Sequence, residues 1–419
     1  MRIPHTSFFS VASTAEMAVS HPGVSVKTSL LSSRLFWVKV VVCLGMMAGL
    51  LLSRSLWLSE RFYPLSPIAD WLPAIPPPLD RIWYSFLLAL LVATLFMPQP
   101  RLQLIVFVIA AGLLPLWDQS RLQPWFYQYL FMLAALGAAP WPRREALADD
   151  GDRLLNPCRL ILVCIYLYSG AQKCNAAFMA DSAPWLLKPT LDHLPTWFGD
   201  LLLRSRYAIP ATEMLIGAGL LIRVLRLPAI ILAIGMHAFI LWTLGPWGHD
   251  WNTVVWPWNV AMMILVPLLF LRTRGVTIPA IAWGPRRAIF PKLVLLLFGI
   301  MPLLSFAGWW DLYLSSALYS GNTPIAHIEF DRQVYAQLPP AVQEKCWKYS
   351  EDSYELHYTL WTIAELNVPD YPAERVQIHI AETIARRFPN SEIGLTLTGR
   401  PKIWTGERAR TRRDFNVRE

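Results

Sequence analysis

Apolar positions along this chain gather into nine runs, at 36–53, 82–97, 102–117, 125–141, 158–176, 207–225, 227–245, 253–271 and 290–308. Runs of this length and apolarity read as membrane-spanning helices, the shorter ones crossing with little tilt or drawing on their flanks. After residue 310 the pattern changes. "AHIEFDR", "YELHYTLWTIAELN" and "IGLTLTGRPKIW" carry alternating, strand-like stretches, and "RVQIHIAETIARRF" has the spacing of an amphipathic helix. The pattern therefore predicts an all-α polytopic membrane bundle of about nine transmembrane helices, followed by a small C-terminal α+β extramembrane domain. Residues 1–35 form a polar, flexible cytoplasmic leader, 36–310 the bundle and 311–419 the domain. With no small-x-small cleavage site before the first run, that run predicts an uncleaved anchor.

Composition supports the membrane class. Of 419 residues 55% are hydrophobic and 16% charged, well under the quarter usual for soluble domains. The 20 Trp suit membrane–water interfaces, and the 34 Pro are tolerated where neighbouring helices satisfy freed carbonyls. Basic residues cluster in the connections 98–102, 142–157, 223–226 and 272–292. Placed inside, these give a multi-pass protein with a cytoplasmic N-terminus and an extracytoplasmic C-terminus. The net charge of +8 fits cytoplasmic loops and anionic lipid, and no nucleic-acid motif accompanies it. The five cysteines show no metal-ligand spacing or disulfide framework, so no metal is indicated. Nucleotide, phosphate, serine-hydrolase and zinc-peptidase motifs are missing as well.

Ionisable residues within apolar runs are where function concentrates, because burying their charge in hydrocarbon is costly. Lys173 lies near the outer end of the fifth run, Glu213 about two turns into the sixth and His237 near the middle of the seventh. Asn252 and Asn259 begin the eighth. Counting 1.5 Å per residue along alternating helices places Lys173, Glu213 and the Asn252–Asn259 segment in the outer half, with His237 somewhat deeper, so that polar groups of four runs overlap in depth. Tyr166, Ser169, Gly170 and Lys173 follow i, i+3, i+4, i+7 and share one face. A glycine one turn before a lysine permits close approach of another helix or a ligand. Burial disfavours the charged form of a lysine and makes it available as a base. The same pattern also suits a lysine reaching for headgroups, a structural Glu213 pair and a satisfied interhelical His237. Trp256 and Trp258 suit an aromatic belt, and the His249–Asp250 pair a solvated loop.

The segment "YLYSGAQKCNAAF" resembles the membrane region shared by vitamin K-dependent γ-carboxylases and the HTTM domain proteins. In that family a Tyr-rich helix ends in Ala/Ser-Gly-x-x-Lys-x-Asp/Asn, and its lysine deprotonates the hydroquinone. The resemblance places Lys173 on that lysine and Gly170 on the glycine. It extends to "RFYPLSPIADWLPAIP", Glu213, His237 and the Trp256-Pro-Trp258 triplet, covering roughly residues 35–310. It implies a quinone or hydroquinone cofactor, or another lipidic ligand, with Lys173, His237 and Glu213 catalytic. Tyr166, Gly170, Asn252, Asn259, Trp256 and Trp258 would bind the ligand. Where the carboxylases carry an Asn-His-x-Tyr-Leu histidine, this chain has "FYQYL", and its tail is shorter. The expectation is an enzyme of carboxylase type acting on a lipidic ligand amid membrane lipids. The alternative is a non-catalytic carrier, sensor or assembly factor whose outer domain binds a protein partner.

Overall fold

The computed structural model describes residues 22–138, 154–273, 276–284 and 288–416, with side chains of the first helix from Arg34 onward. The expected leader up to residue 21 and most of the expected inner connection 142–157 lie outside the described residues. The helical part comprises α1 (Pro22–Leu52), α2 (Leu79–Phe96), α3 (Arg101–Leu113), α4 (Pro124–Ala138) and α5 (Asn156–Gln172). Two nine-residue helices follow, α6 (Ala183–Leu191) and α7 (Thr196–Arg204). The bundle continues with α8 (Ala208–Leu221), α9 (Arg226–Leu244), α10 (Val255–Phe270) and α11 (Ile289–Ala307), the last passing through a wide π turn.

The expectation of about nine transmembrane helices is corrected here. Among the described residues four helices are long and apolar enough to cross a membrane: α1 from Arg34, α2, α9 and α11. The others stop at 13 to 17 residues. At 1.5 Å per residue that is ~20–25 Å, against a hydrocarbon thickness of ~30 Å. Buried cations hold the ends of two of these, α8 and α10, and of the longer α2. The Arg159 guanidinium, fully buried, donates to Leu269 O (2.7 Å) at the end of α10 and to Asn156 Oδ1 (2.8 Å). Arg226 donates to Leu220 O (3.1 Å), Thr273 O (3.0 Å) and Val276 O (3.3 Å), closing α8 and the exit from α10. Lys39 reaches Leu95 O (3.3 Å) and Met97 O (2.9 Å) at the end of α2. A cation on terminal carbonyls satisfies orphan acceptors and opposes the helix dipole, so each helix stops where its cation sits.

The C-terminal part is also larger in its role than the small domain expected. It is a five-stranded antiparallel sheet in the order β2-β3-β1-β4-β5. The strands are β1 (Ile325–Asp331), β2 (Trp347–Lys348), β3 (Ser353–His357), β4 (Ile393–Thr398) and β5 (Arg410–Phe415). Two helices, α12 (Tyr358–Leu366) and α13 (Glu374–Arg387), pack against it. Ile328 faces Leu356 on one side and Leu395 on the other, the centre of the sheet's buried face. The "YTLWTIAEL" stretch forms α12 rather than extending β3, because His357 caps it by accepting from Thr359 N (3.0 Å).

This region is fused to the bundle rather than appended to it. The Glu365 carboxylate accepts from the Phe62 and Tyr63 backbone N–H groups, and Arg387 donates to Phe62 O (2.9 Å). Asn367 donates to Leu52 O (3.0 Å) and Thr253 Oγ1 (2.6 Å), and Gln123 to Pro369 O (3.1 Å). One continuous buried core runs from Val42 in α1 to Leu395 in β4.

Candidate functional site

Lys173 is the C-cap of α5 and is buried, 5% exposed. Its Nζ donates to Glu213 Oε2 (3.0 Å), Ser169 Oγ (2.7 Å) and Ser169 O (3.3 Å). Glu213 is equally buried on α8. The pair forms because α5 and α8 approach unusually closely. A Cβ on Gly170 would stand 2.6 Å from Pro210 O, and one on Gly217 would stand 2.8 Å from Leu167 Cγ. Both contacts exclude a side chain.

Two turns back from Lys173 along the same face, the Tyr166 hydroxyl lies 2.7 Å from His237 Nε2. On the other side of that ring, His237 Nδ1 lies 2.7 Å from Asn259 Oδ1. Asn259 Nδ2 donates to Val255 O (2.7 Å), which turns its oxygen toward the histidine. His237 Nδ1 therefore carries the hydrogen, and Nε2 accepts from Tyr166. Both ring nitrogens are thus satisfied.

These two groups open onto one cavity of about 600 Å³ with a mainly apolar wall. Of the residues expected from sequence, Tyr166, Lys173, Glu213, His237, Trp258 and Asn259 line it. Gly170, Asn252 and Trp256 do not. Gly170 sits behind the wall at the α5–α8 contact. Trp256 Nε1 donates to Leu244 O (2.8 Å), tying α10 to the end of α9. Asn252, in a left-handed turn at φ 49°, donates to the Tyr319 hydroxyl (2.8 Å) and so holds a wall residue from outside.

Sequence reasoning had not found the roof or the rim. Ser316, Leu318 and Tyr319 come from the segment before β1, Ser205 and Arg206 from the 3-10 turn that leads into α8, and Thr212 from the first turns of α8. Thr212 and Arg206 stood in the sequence within two turns of Glu213, which was the available signal. Nothing in the pattern near 316–319 showed that left-handed turns at Ser316 and Tyr319 fold it back over the bundle. In "FYQYL", Gln128 is buried; its Oε1 accepts from Trp258 Nε1 (2.9 Å) and its amide nitrogen meets Met262 Sδ (3.3 Å). That position thus fixes a wall tryptophan.

Among the described residues no group of three or more His, Cys, Asp or Glu side chains is placed to hold a metal ion. No family model matches this chain, and no curated protein or solved structure does either.

Proposed function

We propose that this membrane-associated chain holds a weakly acidic lipidic ligand of the hydroquinone class in the cavity, and that Lys173 takes up its proton. The observation that supports the reading is the convergence of Ser169–Lys173–Glu213 and Tyr166–His237–Asn259 on one apolar volume. Apolar cavities with a few convergent polar groups are the usual form of small-molecule sites. The resemblance of "YLYSGAQKCNAAF" to the γ-carboxylase and HTTM lysine motif supports the ligand class. A hydroquinone, when bound, supplies an ionisable phenolic O–H.

The chain's own residues divide the work. Lys173 acts as a base only as the neutral amine. Glu213 is placed to hold the displaced proton: ammonium–carboxylate and amine–carboxylic acid differ by one proton moved along the 3.0 Å contact. The Tyr166 oxygen, already donating to His237, keeps acceptor capacity for a ligand hydroxyl. Asn259 fixes the imidazole's tautomer, and Gln128 and Met262 fix Trp258. Gln128 has no proton to exchange where the carboxylases carry histidine, so the proposal ends at proton uptake and assigns no carboxylation. The α+β region binds the end of the bundle where α1 finishes, at Leu52. If α1 crosses the bilayer, that region lies on the face opposite the start of α1, which agrees with the basic connections' placement inside.

The test is titration of a chromogenic hydroquinone with purified protein in lipid nanodiscs. Lys173→Ala and Lys173→Arg should both lose ligand ionisation, since a guanidinium stays protonated. Full ionisation in Lys173→Ala overturns the proposal. A second reading is favoured by one observation: all three Nζ hydrogens already have acceptors within the protein, as in a structural pair. Under it the chain is a carrier, sensor or assembly factor, and Lys173→Arg retains function.

A further inference from the structure

The helices α8 and α9 run antiparallel through a short turn. Near their joining turn they touch, so that a Cβ on Gly219 would stand 2.9 Å from the Ala229 Cβ. Further up, a Cβ on Gly235 would meet nothing within 4 Å. Cavity-lining residues are exposed along this gap: Ala208 on α8, and Ile231 (63%), Leu232 (42%) and Gly235 on α9. Because α9 is one of the four helices fit to cross a membrane, an exposed apolar edge at its middle faces hydrocarbon. The cavity wall on α9 runs from Ile231 to Leu244, ~20 Å along the helix. Its polar groups sit at the level of His237 and above, and its lower part is apolar.

At the upper edge lies α7, whose Trp197 (70%), Phe198 (40%) and Leu201 (53%) are exposed while Leu202 lines the cavity. Just beyond it, Arg206 also lines the cavity, and its buried Nε has no hydrogen-bond partner. Aromatic and apolar side chains beside a cationic rim suit the membrane interface.

We infer that the cavity takes a single-chain amphiphile sideways from the bilayer through the α8–α9 gap. The chain lies along Ile231, Leu232 and Met236, and the polar group reaches Tyr166, His237 and Lys173. A volume of about 600 Å³ suits one chain and one ring-sized head, not a two-chain phospholipid. The head-group placement rests on the acid–base reading above, whereas the route rests only on the gap.

The test uses two probes on protein in nanodiscs: a diazirine-tagged prenyl hydroquinone and a chainless, water-soluble diazirine hydroquinone. Gly235→Trp and Ala208→Trp fill the gap from either helix, and Leu215→Trp, on the exposed face of α8 outside the cavity, is the control. Both plugs should slow uptake of the prenyl probe at least about tenfold. They should leave the chainless probe unchanged, and the control should bind both. Crosslinks from the wild type should fall on Ile231 and Leu232. Unchanged prenyl uptake in both plugs, or equal slowing of both probes, overturns the route. If Lys173→Ala ionises the ligand normally while the plugs still block the prenyl probe, the acid–base reading fails and the route stands.

Discussion

Two sets of buried cations lie at opposite ends of the bundle. Lys39, Arg159 and Arg226 bind backbone carbonyls at the ends of α2, α10 and α8. Lys173 instead faces a carboxylate, Glu213, and a cavity. The carbonyls bound by the first set are helix-end acceptors, and a carbonyl has no proton to exchange. Lys173 has a titratable partner and space beside it for a third molecule. Burial alone therefore does not mark a functional cation; the nature of the partner and the adjoining volume do.

The largest effect should come from splitting the pair. Glu213→Ala or Lys173→Met leaves one buried charge without its partner, a loss of ~3–5 kcal/mol of stability. The double variant Lys173→Met/Glu213→Leu should recover most of it, since well-packed apolar residues often replace a buried pair without loss. Thermal unfolding in detergent measures this cycle. Arg159→Met, by contrast, should cost ~1–3 kcal/mol from stranded carbonyls at the end of α10.

Next is the contact that brings the pair together. Gly170→Ala sets a Cβ against Pro210 O and Met214 Cγ, at 2.6 and 2.7 Å, so α5 and α8 must part. The expected loss is ~1–3 kcal/mol, with weakened hydroquinone ionisation because the Lys173–Glu213 distance grows. Stability loss with unchanged ionisation would show that the pair tolerates helix separation.

The α+β region offers a half-buried ionisable group at the end of β3. Burial, assisted by neighbouring His327 and opposed by Asp370, lowers the His357 pKa from 6.5 to about 4. Between those values the unfolded chain binds more protons, so stability rises with pH. It is complete above about pH 6.5 and falls as the pH drops toward 4, by ~1–3 kcal/mol. Tryptophan-fluorescence melting at pH 7.5 and 4.5 should show the drop, and His357→Asn should flatten it.

These particulars show what the sequence could and could not convey. Each apolar run is occupied by helix, because hydrophobic periodicity is local information. Their ends are not local: Arg159 and Leu269 are 110 residues apart, and Arg226 and Thr273 are 47. That is why span number was overestimated. Tyr166, Ser169, Gly170 and Lys173 were legible from spacing, and Glu213, His237 and Asn259 from depth. Asn252 and Trp256 share that depth but turn elsewhere, since depth does not fix rotation about a helix axis. Tyr319 was hidden because two left-handed turns, not a pattern, bring it over the cavity.

The smallest effect should come from the exposed counterpart of the Lys173–Glu213 pair. On the sheet edge Arg412 reaches Glu329 (2.7 Å) and Asp414 (2.8 Å) with half its side chain in solvent. Its distances match those of the buried pair, yet water screens it, and both partners stay solvated when it breaks. Arg412→Ala should therefore cost no more than ~1 kcal/mol and lose even that at high salt. A cost equal to that of Lys173→Met would mean that distance rather than burial governs these pairs, and the contrast between the two ends of the molecule would lose its physical basis.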